Sequence, residues 1–234
     1  MYKIGYLFLL GLFLGKVSAQ GLEISHLTGD FYVYTTYNDY GGKPFPSNGM
    51  YLVTNAGVVL IDTPWNQKQF QPLLDSIEKR HHQKAVLCIA THSHDDRTAG
   101  LAYFKSNGIR TYASKLTQKL CKANGEKQAE FTFKNDTIFN VGGYKIETYY
   151  PGKGHTSDNI VIWFEKDKIL YGGCFVKSTE SPGLGNLADA DTKAWPKSVK
   201  KVMARFPDRQ FVIPGHQSWQ EKRSLEHTYR LLSH

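Results

Sequence analysis

Cysteine is scarce in this chain, with three in 234 residues. So small and odd a number excludes the disulfide-stapled scaffold that small secreted folds rely on. No segment repeats at a solenoid or propeller period, which argues against a stacked array. No apolar run reaches the roughly 20 residues that a membrane-spanning helix requires. The longest, Ile4–Leu14, has eleven residues and is interrupted by glycines. No Gly-x-Ser-x-Gly elbow occurs, so a serine hydrolase of the α/β kind has no nucleophile here. What is present is an ordinary globular composition, 41% hydrophobic and 13% aromatic. That is too apolar for intrinsic disorder and long enough for one large domain or two small ones.

The N-terminus reads as an export signal. Lys3 supplies a positive start, Ile4–Leu14 the apolar centre, and Val17-Ser18-Ala19 a small-residue cleavage site. Residues 1–19 are therefore predicted to be a cleaved signal peptide and residues 20–234 the working domain, delivered to the periplasm. No cysteine follows the cleavage site, so no lipid or membrane anchor is expected. Cleavage removes Lys3 and Lys16 and leaves 27 basic against 21 acidic side chains. The lysines are scattered, and the densest group, Lys197, Lys200 and Lys201, reads as the solvated face of a helix. Nucleic acid is not an expected partner of an exported chain. An oxidising compartment would permit Cys88 and Cys121 to pair.

The hydrophobic pattern places strands at Phe31–Tyr37, Met50–Thr54 and Gly57–Asp62, with Tyr37–Gly49, rich in Gly, Pro and Asn, read as a mobile loop. Phe70, Leu73, Leu74 and Ile77 give helical spacing over Gln69–Lys79. A buried strand follows at Ala85–Ala90, then a helix through Ala99–Ser106, a strand near Ile109–Ala113 and a helix near Ser114–Lys122. Further strands are expected at Ile138–Asn140, Tyr144–Tyr150, Asn159–Phe164, Lys168–Tyr171 and Phe211–Ile213. Helices are expected at about Thr192–Phe206, with Pro196 in the first turn, and at Leu225–Leu232. No linker interrupts the sequence. The pattern suits one domain of two sheets with helices outside, a layered α/β architecture. No long apolar interface helix is evident, so a monomer is expected.

The chemistry is concentrated after strands. Thr91-His92-Ser93-His94-Asp95-Asp96-Arg97 directly follows the buried strand Ala85–Ala90. Imidazoles at i and i+2 with a carboxylate at i+4 cannot share a helical face, but in a loop leaving a strand they can converge on a metal ion. Histidine nitrogen and carboxylate oxygen are ordinary zinc ligands. His155, Cys174 and His216 each sit at or just after a strand end and follow a glycine, which permits close backbone approach. The six donors suffice for two zinc ions with three protein ligands each, leaving positions open for water. His26, His81, His82, His227 and His234 lack such a context and read as surface residues.

On these residues the chain resembles the metallo-β-lactamase superfamily, and within it the class B β-lactamases of subclass B1. The His-x-His-x-Asp motif is His92, His94 and Asp96. Arg97 stands where related hydrolases of the same fold carry a further histidine, and Cys174 where many carry an aspartate. The resemblance implies an αββα sandwich, with one zinc on His92, His94 and His155 and a second on Asp96, Cys174 and His216. It implies that Lys177 pairs with the substrate carboxylate and that Asn186 approaches the lactam carbonyl. It also implies that the glycine-rich loop carrying Phe45 covers the substrate. A zinc-bound hydroxide, oriented by Asp96, would attack the strained amide of penicillins, cephalosporins and carbapenems. Ala188 replaces a glycine of the family's Gly-Asn-Leu-Gly-Asp segment and would distort the Asn186 loop if that position needs positive φ. Asp62, Asp95 and Arg97 are expected to orient the ligand loop. The competing readings are a thioesterase or lactonase of the same fold and a non-catalytic zinc-binding protein.

Overall fold

The computed structural model describes residues 21–134 and 136–233. The proposed signal peptide and His234 lie outside the described residues. Two sheets face one another. The first has seven strands in sequential order: β1 (Glu23–Thr28), β2 (Phe31–Tyr40), β3 (Lys43–Thr54), β4 (Gly57–Ile61), β5 (Ala85–Ile89), β6 (Arg110–Ser114) and β7 (Phe131–Phe133). It is antiparallel through β4 and parallel from β4 to β7. The second sheet has the order β12-β11-β10-β9-β8, from β8 (Thr137–Val141), β9 (Tyr144–Tyr149), β10 (Val161–Phe164), β11 (Ile169–Gly173) and β12 (Phe211–Pro214).

Alternation along the strands creates the layers. Phe31, Val33, Met50, Leu52, Val59 and Ile61 of the first sheet pack against Ile146, Ile162, Phe164 and Ile213 of the second. The residues between them face outward to helices. Tyr51, Leu60 and Cys88 meet Phe70, Leu73 and Ile77 of α1 (Phe70–His81). Val161, Leu170 and Val212 meet Trp195, Val199 and Val202 of α5 (Trp195–Arg205). The result is the expected αββα sandwich.

The expected helix through Ala99–Ser106 is preceded by a turn of its own, α2 (Asp95–Thr98), and forms as α3 (Leu101–Ser106). α4 (Lys115–Asn124) is capped by the Ser114 hydroxyl, which accepts from the Thr117 N–H. α6 (Ser224–Leu231) closes the chain, and Pro196 sits in the first turn of α5. The exposed lysines of α5 leave a solvated face, as expected.

Two sequence expectations need correction, and one question the sequence left open is answered. Tyr37–Gly49 is a β-hairpin, not a loop: β2 and β3 pair as far as Tyr40 and Lys43. Gly41 and Gly42, at φ 64° and 78°, make the two-residue turn, and positive φ at both positions suits the twist of a hairpin. Cys88 and Cys121 do not pair, since all three cysteines are free and buried. His81 is half-buried, and its Nε2 lies 3.0 Å from the Tyr51 hydroxyl, a packing role rather than a surface one. Among the described residues, no helix is long and apolar enough to cross a membrane.

Candidate metal centre and active site

Every candidate ligand leaves a strand at the same edge of the sandwich. His92, His94 and Asp96 follow β5, His155 follows β9, Cys174 follows β11 and His216 follows β12. Gly215 is required for the last of these. A Cβ there would lie 2.6 Å from the Cys174 nitrogen and 2.8 Å from its Sγ, so only glycine lets the two ligand turns touch.

The structure brings all six donors into one cluster. Asp96, Cys174 and His216 form its tightest part, with His216 Nε2 3.2 Å from Cys174 Sγ and 3.1 Å from Asp96 Oδ2. Cys174 Sγ lies 3.4 Å from the same carboxylate oxygen. Ligands of one tetrahedral zinc at ordinary bond lengths sit about 3.4–3.8 Å apart, so this triangle need widen by only a few tenths of an ångström to hold one. The His92, His94 and His155 rings lie edge to face, with centroids 4.9–5.1 Å apart. Here the donors group differently from the expected trio. Those within 4.8 Å of one another are His92, His94 and Asp96, and separately His92, His155 and Cys174. His92 belongs to both and joins the cluster together.

The electrostatics suit a cation. His92 Nε2 and His155 Nδ1 are buried without a hydrogen-bond partner, a cost normally avoided unless something else binds there. Burial pushes both imidazoles well below their usual pKa, so they are neutral and able to ligate. Burial also opposes ionisation of Asp96, but Arg97, His216 and His92 outweigh it and hold the carboxyl well below its usual range. Burial raises the Cys174 thiol, against the pull of Arg97, so a bound cation would be what ionises it. Neutral imidazoles, a carboxylate and a thiol, one nitrogen or sulfur donor beside another, fit zinc.

Surrounding groups hold these donors in place. Asp189 accepts from His94 Nε2 at 2.9 Å, leaving Nδ1 for a metal. His216 Nδ1 donates to the Pro46 carbonyl at 2.8 Å, leaving Nε2. Such contacts fix tautomer and ring orientation. Beneath the site, fully buried Arg97 lies 2.9 Å from Asp96, 3.0 Å from Cys174 Sγ and 3.5 Å from Asp62. Asp62 accepts from the Thr91 N–H at 2.7 Å and the Tyr171 hydroxyl at 2.8 Å. Burial raises its pKa to about 6, against Arg97 and these hydrogen bonds. Asp62 and Arg97 thus orient the ligand loop, as expected, whereas Asp95 is exposed and lines the cavity above.

That cavity, of about 270 Å³, is roofed by Tyr40, Phe45 and Trp65 and walled by Lys177 and Asn186. Lys177 is 8% exposed, and its Nζ lies 5.4 Å from the Trp195 ring centroid. Among the described residues no carboxylate lies within ion-pair distance of it. Asn186 is exposed, and its Oδ1 accepts from the Ala188 N–H at 3.0 Å. The positive φ of this segment, 72°, belongs to Gly185 and not to Ala188, so alanine is accommodated without strain. Tyr40, Trp65, Asn48, Tyr171 and Asp189 were not singled out from the sequence. Only Asp189 had a local signal, as the last residue of Gly-Asn-Leu-Ala-Asp.

The arrangement is that of a metalloenzyme, with a buried donor cluster opening into one cavity at the edge of an αββα sandwich. The sequence profile of the metallo-beta-lactamase superfamily matches residues 42–216. Metallo-beta-lactamase type 2 of Elizabethkingia meningoseptica is 44% identical over 100% of this chain and 96% of its own length. Metallo-beta-lactamase IND-1 of Chryseobacterium indologenes is 41% identical over 87% of this chain and 85% of its own. The crystal structure of metallo-beta-lactamase IND-7 superimposes with a TM-score of 0.88 at 39% identity, covering 91% of this chain and 98% of that one. The chain belongs to the metallo-β-lactamase superfamily.

Proposed function

We propose that this protein is a zinc-dependent β-lactamase of the B1 kind that hydrolyses the amide bond of the β-lactam ring and so confers antibiotic resistance. His92, His94 and His155 would hold one zinc, and Asp96, Cys174 and His216 a second. The observation that carries the reading is a buried ammonium, Lys177, with no carboxylate within ion-pair distance among the described residues, in the wall of the cavity above the donor cluster. Zinc bound there supplies hydroxide near neutral pH and a Lewis acid for the amide oxygen.

The chain's own groups then have distinct tasks. Lys177 holds the substrate carboxylate and so sets the orientation of the ring. Asn186 has its Oδ1 engaged by Ala188, which leaves its amide N–H donors for the lactam carbonyl. Against the effect of burial, Arg97 and His216 hold the Asp96 carboxyl well below its usual range, so it would accept a hydrogen bond from the attacking water. Phe45, with Tyr40 and Trp65, covers the apolar substituents and excludes water. Penicillins, cephalosporins and carbapenems would be its substrates. Export through residues 1–19 and action as a periplasmic monomer complete the proposal.

A thioesterase or lactonase of this fold has less use for an anion-binding lysine at this place. Lys177→Ala tests the distinction in steady-state hydrolysis of a cephalosporin. Losing a desolvated charge partner costs about 2 kcal/mol or more, so KM should rise about thirtyfold with kcat little changed. An unchanged KM, or faster turnover of thioesters than of cephalosporins, would favour the other hydrolase.

A further inference from the structure

The hairpin that roofs the cavity is bound to a metal ligand at its base. Residues 36–40 of β2 and 43–47 of β3 pair only with each other, because β1 reaches no further along β2 than Thr35 and β4 no further along β3 than Met50. A two-stranded ribbon of this kind is marginally stable alone and takes its order from what it rests on. It rests on the turn that carries His216. The His216 Nδ1–H donates to the Pro46 carbonyl at 2.8 Å. The Asn48 N–H donates to the Gly215 carbonyl at 2.8 Å. The Asn48 side-chain amide donates to the carbonyls of Pro214 and Gln217, at 3.0 and 2.8 Å, on either side of the ligand. The Phe45 ring packs on the imidazole itself, centroid to centroid 5.1 Å, and Tyr40 at the tip packs on Phe45 at 5.6 Å.

We infer that Phe45, Pro46 and Asn48 are positioning residues for the second metal ion, so that flap order and the hold of Asp96, Cys174 and His216 on that ion are thermodynamically linked. The inference rests on the two-metal reading above. A cation that fixes the His216 ring fixes the ribbon bonded to it. By reciprocity, a ligand that presses the aromatic tip down strengthens the hold on the ion by the same factor. The grip on substrate and the retention of the second metal then become one property.

The test uses the full protein, stripped of metal and titrated with Co²⁺, whose thiolate charge-transfer absorption reports the Cys174 site separately. Hydrogen exchange of the amides of residues 36–47 is followed with and without metal. The inference predicts slower exchange of these amides on loading, although none belongs to a candidate ligand. It predicts that Phe45→Ala, which keeps every hydrogen bond, and Asn48→Ala each weaken binding at the thiolate site about five- to tenfold. Both should leave binding at the histidine site unchanged and clearly reduce the metal-dependent protection. Flap exchange indifferent to metal, or unaltered thiolate-site affinity in the well-folded Phe45→Ala variant, would overturn it. If the unsubstituted protein develops no thiolate band, the two-metal reading itself fails and takes the linkage with it.

Discussion

Arg97 illustrates how much of the site depends on a single side chain. Its guanidinium is fully buried and neutralises Asp62 and Asp96 while donating to Cys174 and to the carbonyls of Asn48 and Gly215. Arg97→Met removes the cation and leaves two buried carboxylates uncompensated. It should cost about 3–5 kcal/mol, read from denaturant unfolding of the metal-free protein. A cost below 1 kcal/mol would mean that the carboxylates do not depend on it. Asp189 acts more locally. Asp189→Ala should weaken metal binding through His94 by about tenfold, the lower end for such partners because the carboxylate is half exposed. The six donors were legible in the sequence because each follows a strand and most lie beside a glycine or in the His-x-His-x-Asp run. Asn48 and Tyr171 were harder to read. Asn48 and Gly215 meet across 167 positions of chain, and no local pattern announces such a contact.

The hairpin shows the same limit for elements. Its Gly, Pro and Asn content reads as a loop, yet Gly41 and Gly42 supply the turn that lets β2 and β3 extend over the cavity. Alanine at both positions would force positive φ on residues with a Cβ, at about 1–2 kcal/mol each. The ribbon should fray and KM rise, while unfolding of the rest is little affected, as circular dichroism and steady-state kinetics would show. Gly215→Ala should be more damaging, because the added carbon meets backbone and Sγ of Cys174 within 2.8 Å. The periodic segments, α1, β5, α4 and α5, were legible within a few residues. β1 and β7 were not, since β1 buries no residue fully and β7 has three residues with one buried.

Across the whole molecule, two-residue alternation on both sheets was enough to imply layers, because each strand carries one set of side chains for the opposite sheet and another for a helix. Strand order was not legible from periodicity, and the αββα arrangement came from resemblance to the family. The buried site also gives the protein a pH signature. His92, His155 and His216 are lowered below 6.5, chiefly by burial, so the unfolded chain binds protons first as the pH falls through that value. Stability then declines with acidification. Asp62, raised to about 6, works in the opposite sense between about 6 and 3.8 and offsets part of this. Asp96, held well below 3.8, adds a further loss beneath that value. The Tm of the metal-free protein should therefore fall steadily from pH 7 toward pH 5; a Tm that rose over this range would contradict the burial of neutral histidines. The most direct test of the central claim is hydrolysis of a chromogenic cephalosporin by the purified protein, before chelation, after it, and after zinc is restored. The account predicts rapid turnover, abolished by the chelator and recovered with zinc. Zinc binding without turnover, or turnover indifferent to the chelator, would contradict it.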